Sequence, residues 1–66
     1  MTKDEMILNL MSMANQLVKN YTYELNKRMW TACLDWNREH PDEEIFMCET
    51  DDGFAIEDDV WILPEH

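Results

Sequence analysis

From residue 6 to residue 21 the apolar side chains recur with helical spacing. At about 100° per residue, Met6, Ile7, Leu10, Met11, Met13, Ala14, Leu17, Val18 and Tyr21 fall on one broad face. Asn9, Ser12, Asn15, Gln16 and Lys19 fall on the other, and Leu8 is the one large apolar residue off the stripe. Thr2 followed three positions later by Glu5 fits a capping box, in which hydroxyl and carboxylate each accept from an amide the first turn leaves free. Asp4 and Glu5 also suit the positive end of a helix dipole. A helix near residues 3–19 is predicted.

From Tyr23 onward the phase changes. Leu25, Met29, Ala32, Cys33 and Trp36 make one stripe, with Tyr23, Trp30 and Leu34 beside it. The centre of this apolar face lies roughly 120° from that of the first on a continuous wheel, so one straight helix would have to face two neighbours. A break at Lys19–Thr22 resolves the conflict. Asn20 tolerates the left-handed conformation that ends helices, and Thr22 can cap a new one. A second helix is therefore predicted near 22–39, with a single bent helix as the rival. Pro41 ends it, because a residue before proline avoids helical geometry. The Tyr23, Trp30 and Leu34 stripe is expected either to receive the C-terminal segment or to meet another molecule.

The pattern beyond Pro41 is of another kind. Residues 44–48 are short and β-rich, Thr50–Gly53 reads as a turn with Gly53 supplying a positive φ, and 54–56 read as the start of a return strand, with 60–63 its continuation or a third strand after a kink at Glu57, Asp58 and Asp59. Pro64 stops it. The fold class expected is α+β: two N-terminal helices packed on a small antiparallel β-hairpin (near 44–49 and 53–63) or three-stranded sheet. The core expected is Ile7, Leu10, Ala14, Leu17, Leu25, Met29, Phe46, Ile56 and Ile62.

Charge sharpens this division. The chain carries a net charge of −10 over 66 residues. Residues 1–40 hold five basic and five acidic side chains, whereas 41–66 hold ten acidic ones and no Lys or Arg. The whole excess lies on the β-rich segment. An acidic tail would not need the apolar residues found there, so the negative charge is expected on a folded platform. Sixty-six residues make one domain at most, 1–66, helical and neutral over 1–40, β-rich and strongly acidic over 41–66. A domain of this size buries only roughly 60 % of its unfolded surface, so its core is marginal. The charge disfavours nucleic acid and anionic membranes as direct partners. The N-terminus carries charges where a secretion signal needs an apolar core, and no run of about 18 apolar residues exists. A cytoplasmic protein is expected, with Cys33 and Cys48 reduced and acting as small apolar residues.

Chemistry finds little support. A twelve-residue calcium loop placing Gly53 sixth would begin at Cys48, the wrong ligand, and end at Asp59 where a bidentate Glu is needed. Cys33, Cys48, His40 and His66 match no compact zinc spacing. Cys33 and His40 would share a helix face roughly 10 Å apart along the axis, too far for direct activation. No glycine-rich phosphate loop exists. The expectation is a non-enzyme with no catalytic residues, no metal and no cofactor.

What remains is protein binding. Glu49, Asp51, Asp52, Glu57, Asp58 and Asp59 form the candidate acidic surface, and Trp30 and Trp61 are candidate apolar anchors of the kind that dominate interfaces. Side chains two apart on a strand lie about 6.8 Å from each other on one face, close to the separation of neighbouring phosphates on a nucleic-acid strand. The function expected is a small acidic inhibitor or adaptor. In its sharper form it is a DNA mimic that blocks a basic surface of a nucleic-acid-binding protein. Short length, acidity and the lack of catalytic motifs resemble, as a class, the small acidic proteins by which phages disable host nucleic-acid enzymes. The alternative is an assembly protein that pairs with a partner, or with a second copy of itself, through its Met-rich helical face.

Overall fold

The computed structural model describes residues 1–50, 53–57 and 60–62, the last three by their backbone alone. It is an α+β protein. Helix α1 spans Lys3–Lys19 and α2 spans Tyr23–Glu39, followed by one 3-10 turn at Pro41–Glu43. Three short strands then follow, β1 at Met47–Glu49, β2 at Phe54–Ile56 and β3 at Val60–Ile62.

Both helix starts are built as their sequences dictate. The Thr2 hydroxyl accepts from the Glu5 N–H at 3.2 Å, and the Glu5 carboxylate accepts from the Thr2 N–H at 2.9 Å. Thr22 caps α2 by accepting from the Leu25 N–H at 3.3 Å. The phase shift is thus a true break between two helices. Its mechanism differs from the expected one: Asn20 ends α1 in extended geometry (φ −154°, ψ 91°), its N–H donating to the Gln16 carbonyl. The chain needs to leave α1 and enter the extended Thr22 cap within three residues, and an extended Asn20 does that without a left-handed residue.

The helices run back along each other. Met6, near the start of α1, shares a cleft with Trp36 and His40 at the end of α2, and Gln16 and Lys19 lie beside Leu25 at the opposite end. Between them and under the sheet sits the core: Met6, Leu10, Ala14 and Leu17 from α1, Met29, Cys33 and Trp36 from α2, then Ile45, Met47, Phe54 and Ile56. The sheet rests on α1. Ile7 and Leu25, expected in the core, are half-buried and packed against it. Leu8 is exposed, as its off-stripe position requires.

β1 pairs antiparallel with β2, Met47 opposite Ile56 and Glu49 opposite Phe54. β3 lies antiparallel on the other side of β2, Ile56 opposite Val60 and Phe54 opposite Ile62. All three residues of β2 are buried, which suits a strand with no polar alternation. Thr50 and Gly53, between β1 and β2, exchange backbone hydrogen bonds at 2.8 and 3.4 Å.

Two details of this half depart from the sequence reading. Gly53 does not take a positive φ; among the described residues Glu57 alone does, at 59°. The left-handed step falls where the chain leaves β2. Phe46, expected in the core, is 53 % exposed, and its neighbour Ile45 is 1 % exposed. Alternation along an extended chain allows only one of the two to point inward, and the side chain of Asn37 decides which. Its Oδ1 accepts from the Ile45 N–H at 2.7 Å while its Nδ2 donates to the Ile45 carbonyl at 3.0 Å. The amide of a helix residue thereby acts as a strand neighbour for Ile45. Ile62 of the expected core lies outside the described side chains.

Candidate functional site

The acidic surface begins at the 3-10 turn. Pro41 fixes the first turn residue, and Asp42, Glu43 and the following Glu44 project from it, all exposed. The turn is tied down through its backbone rather than its carboxylates: the Trp36 indole N–H donates to the Glu43 carbonyl at 2.8 Å. Trp36 in turn stacks on His40, ring centroids 3.8 Å apart and 16° from parallel. His40 is therefore half-buried beneath the turn rather than a free helix end. Glu49 extends the acidic surface from the end of β1, where it is exposed. Among the described residues the two ion pairs are Lys3–Glu57 and Arg38–Asp35, so Asp42, Glu43, Glu44 and Glu49 carry their charge without a cation partner there.

Glu57 belongs to a different arrangement from its acidic neighbours in sequence. Its N–H donates to the Phe46 carbonyl at 2.8 Å, and its Oε1 accepts from the Phe46 N–H at 3.1 Å. The same oxygen lies 3.4 Å from Lys3 Nζ. A left-handed residue normally costs about 1–2 kcal/mol, and here two hydrogen bonds and an ion pair fasten it. Glu57 thus clasps the sheet to the N-terminus of α1 with a half-buried carboxylate. Asp51, Asp52, Asp58 and Asp59 lie outside the described residues, as does the side chain of Trp61.

Trp30 is half-buried and packed against the core on one side. Tyr23 and Leu34, seven residues before it and four after, share its stripe and are 69 % and 64 % exposed. The described residues of the C-terminal segment that belong to the cluster against which Trp30 packs are those of the core. The Met-rich face of α1 is covered: Met6 is buried, and Met11 and Met13 are partly buried against the core.

An open groove of about 510 Å³ at the helix connection is lined by Gln16, Lys19, Thr22, Glu24 and Arg28 among others, a mixture of amides and opposite charges. Among the described residues no three of His, Cys, Asp and Glu come together as a metal would need. Burial pushes the Cys33 thiol above its ordinary value, only partly offset by the Asn37 amide beside it, so it is held as a thiol rather than a nucleophile. Its Sγ lies 3.7 Å from the Ile45 carbonyl. Among the described residues no helix is long and apolar enough to cross a membrane.

Sequence reasoning had two gaps here. It counted Asp42, Glu43 and Glu44 only among the ten acids of residues 41–66, although Pro41 followed by three acids is itself the signature of a short exposed turn. It also gave Asn37 no role. The available signal was a polar amide at the edge of an apolar stripe, one residue after a buried Trp. No protein-family model matches the chain, and no curated protein or solved structure matches it either.

Proposed function

We propose that the chain is a protein-binding inhibitor or adaptor whose acidic face occupies the basic surface of a nucleic-acid-binding protein in place of phosphates. The observation that carries this reading is the separation of charge along one small domain. Five acids and five bases balance across residues 1–40, while the turn and β1 present Asp42, Glu43, Glu44 and Glu49 exposed and without cation partners among the described residues. Double-stranded DNA displays roughly one charge per 1.7 Å of axis, and proteins that bind it carry grooves of matching positive potential. Carboxylates fixed on a folded platform enter such a groove without the ordering cost of a disordered acidic tail. Asp51, Asp52, Asp58 and Asp59 extend the same charge in sequence. Charge sets the rate and orientation of encounter, and apolar anchors such as Trp61 supply the short-range affinity.

The test uses the immobilised chain, a host extract and duplex DNA as competitor. A captured protein should be released by salt and displaced by the DNA. A variant with Glu43, Glu44, Glu49, Asp51 and Asp52 changed to Lys should capture nothing, with its helical circular dichroism unchanged. Capture that survives both charge reversal and DNA competition would show the acidic face to be only a solvated surface.

A further inference from the structure

β1 is an edge strand, and one side of it faces away from the sheet. Hydrogen-bonded pairs alternate along an antiparallel ladder. Thr50 and Gly53 are such a pair, and Glu57 donates to the Phe46 carbonyl. In the observed register Cys48 therefore bonds across to Ala55, and the N–H and C=O groups of Ile45, Met47 and Glu49 point away from β2. Ile45 has both groups taken by the side-chain amide of Asn37. Among the described residues nothing bonds to the outward groups of Met47 or Glu49. Asn37 begins a ladder that no described residue continues. We infer that this edge takes an extended, Lys- and Arg-bearing segment of the partner as an added strand. This rests on reading the acidic face as a protein-binding surface.

Two observations select that occupant. Met47 is buried, which leaves its outward groups little water, and a buried backbone group without a partner costs about as much as a lost hydrogen bond. An added strand supplies both partners. The second observation is charge. Glu44 and Glu49 flank the edge at its two ends, both exposed and without a cation partner among the described residues. They are five residues apart, about 17 Å along an extended chain, which a six-residue strand matches. A cation near each end of the segment meets a carboxylate. Edge strands are commonly guarded by Lys or Pro, and residues 45–49 hold neither. Their guard is Glu49, a charge that repels the same edge of a second copy and attracts a basic strand. Backbone bonds would supply the affinity and the flanking acids the selection.

The probe is a capped six-residue peptide alternating Lys and Val, beside a version methylated at every backbone nitrogen and therefore of equal charge. Amide NMR spectra of the full chain follow the titration. The first peptide should shift the Met47 and Glu49 amides and slow their hydrogen exchange, while the methylated one should leave both unchanged. Glu49→Pro removes an outward N–H without touching the β1–β2 ladder, and Glu49→Gln removes the charge alone. The Pro variant should bind the peptide roughly tenfold more weakly than the Gln variant. Unchanged exchange at Ala55 in both variants verifies that the sheet is intact. No binding of the Lys–Val peptide at millimolar concentration overturns the inference. So does equal binding of the methylated peptide, or protection of Met47 and Glu49 that develops with the concentration of the protein alone. A host protein released by salt but held equally by the Pro and Gln variants overturns the added strand and leaves the acidic face as the binding surface. Capture that survives charge reversal of that face removes both.

Discussion

The two halves of this molecule hold their shape by different means. Each helix is defined within its own sequence: a Thr cap starts it, an apolar stripe gives it a side, and local hydrogen bonds close it. The sheet half has strands of only three residues each, too short to be stable alone. It is fixed by side chains that belong to the helices. Asn37 holds the backbone of Ile45, Trp36 holds the carbonyl of Glu43, and Lys3 meets the carboxylate of Glu57. The acidic half is therefore an attachment to a helical frame, and its shape depends on a few polar contacts. A surface of high negative charge cannot be held by its own ion pairs, since it has no cations of its own.

Replacing Leu10 with Ala should have the largest effect, because it removes a fully buried side chain from the core both halves share. A loss of about 2–5 kcal/mol is expected, measured by denaturant unfolding. For a domain whose total stability is of the order of 5 kcal/mol, that approaches global unfolding and would erase the comparison altogether. Asn37→Ala should separate the halves. It leaves the Ile45 N–H and carbonyl without their partner and should cost about 1–3 kcal/mol. Hydrogen exchange should quicken at Ile45, Met47 and Ile56 while the amides in the middle of α1 stay protected. Equal loss of protection in both halves would mean that they unfold as one unit. Thr2→Ala removes one cap and should cost about 1 kcal/mol, read as faster exchange in the first turn of α1. Glu57→Gln keeps an acceptor for Phe46 but loses the ion pair with Lys3, so a change below about 1 kcal/mol in thermal unfolding is expected.

The smallest effect concerns pH. The Thr2 N–H, and then the Thr2 hydroxyl, hold the Glu5 carboxyl below its ordinary value of 4.5. A carboxyl with a lowered folded-state pKa contributes stability that is present above its ordinary value and is lost as pH falls through the lowered one. The difference in melting temperature between the wild type and Glu5→Gln should be constant above pH 5 and should shrink below pH 4.5. A difference that grows on acidification would remove the capping box from the account.

The helices were legible because their signals are local. Residues three or four apart decide the face, and residues three apart decide the cap. Even the stripe of Tyr23, Trp30 and Leu34 could be seen as surplus to the main face, although not that Tyr23 and Leu34 would be exposed. The sheet was legible as a kind of structure but not in its details. Phe46 and Ile45 are equally apolar and adjacent, and nothing near them in sequence says which points inward. Glu57 reads like the acids around it until its carboxylate is seen to accept from Phe46 eleven residues away.

The sequence by itself determined where the helices start and stop, which faces they bury, and that all the excess charge lies beyond residue 40, since each of these follows from composition or short-range spacing. Only the tertiary structure decided the register of the sheet, the inward turn of Ile45, the left-handed step at Glu57 and the difference between an acid held in a clasp and an acid displayed to solvent. Those outcomes turn on contacts between residues far apart in the chain, and such contacts exist only once both partners have been brought together by folding.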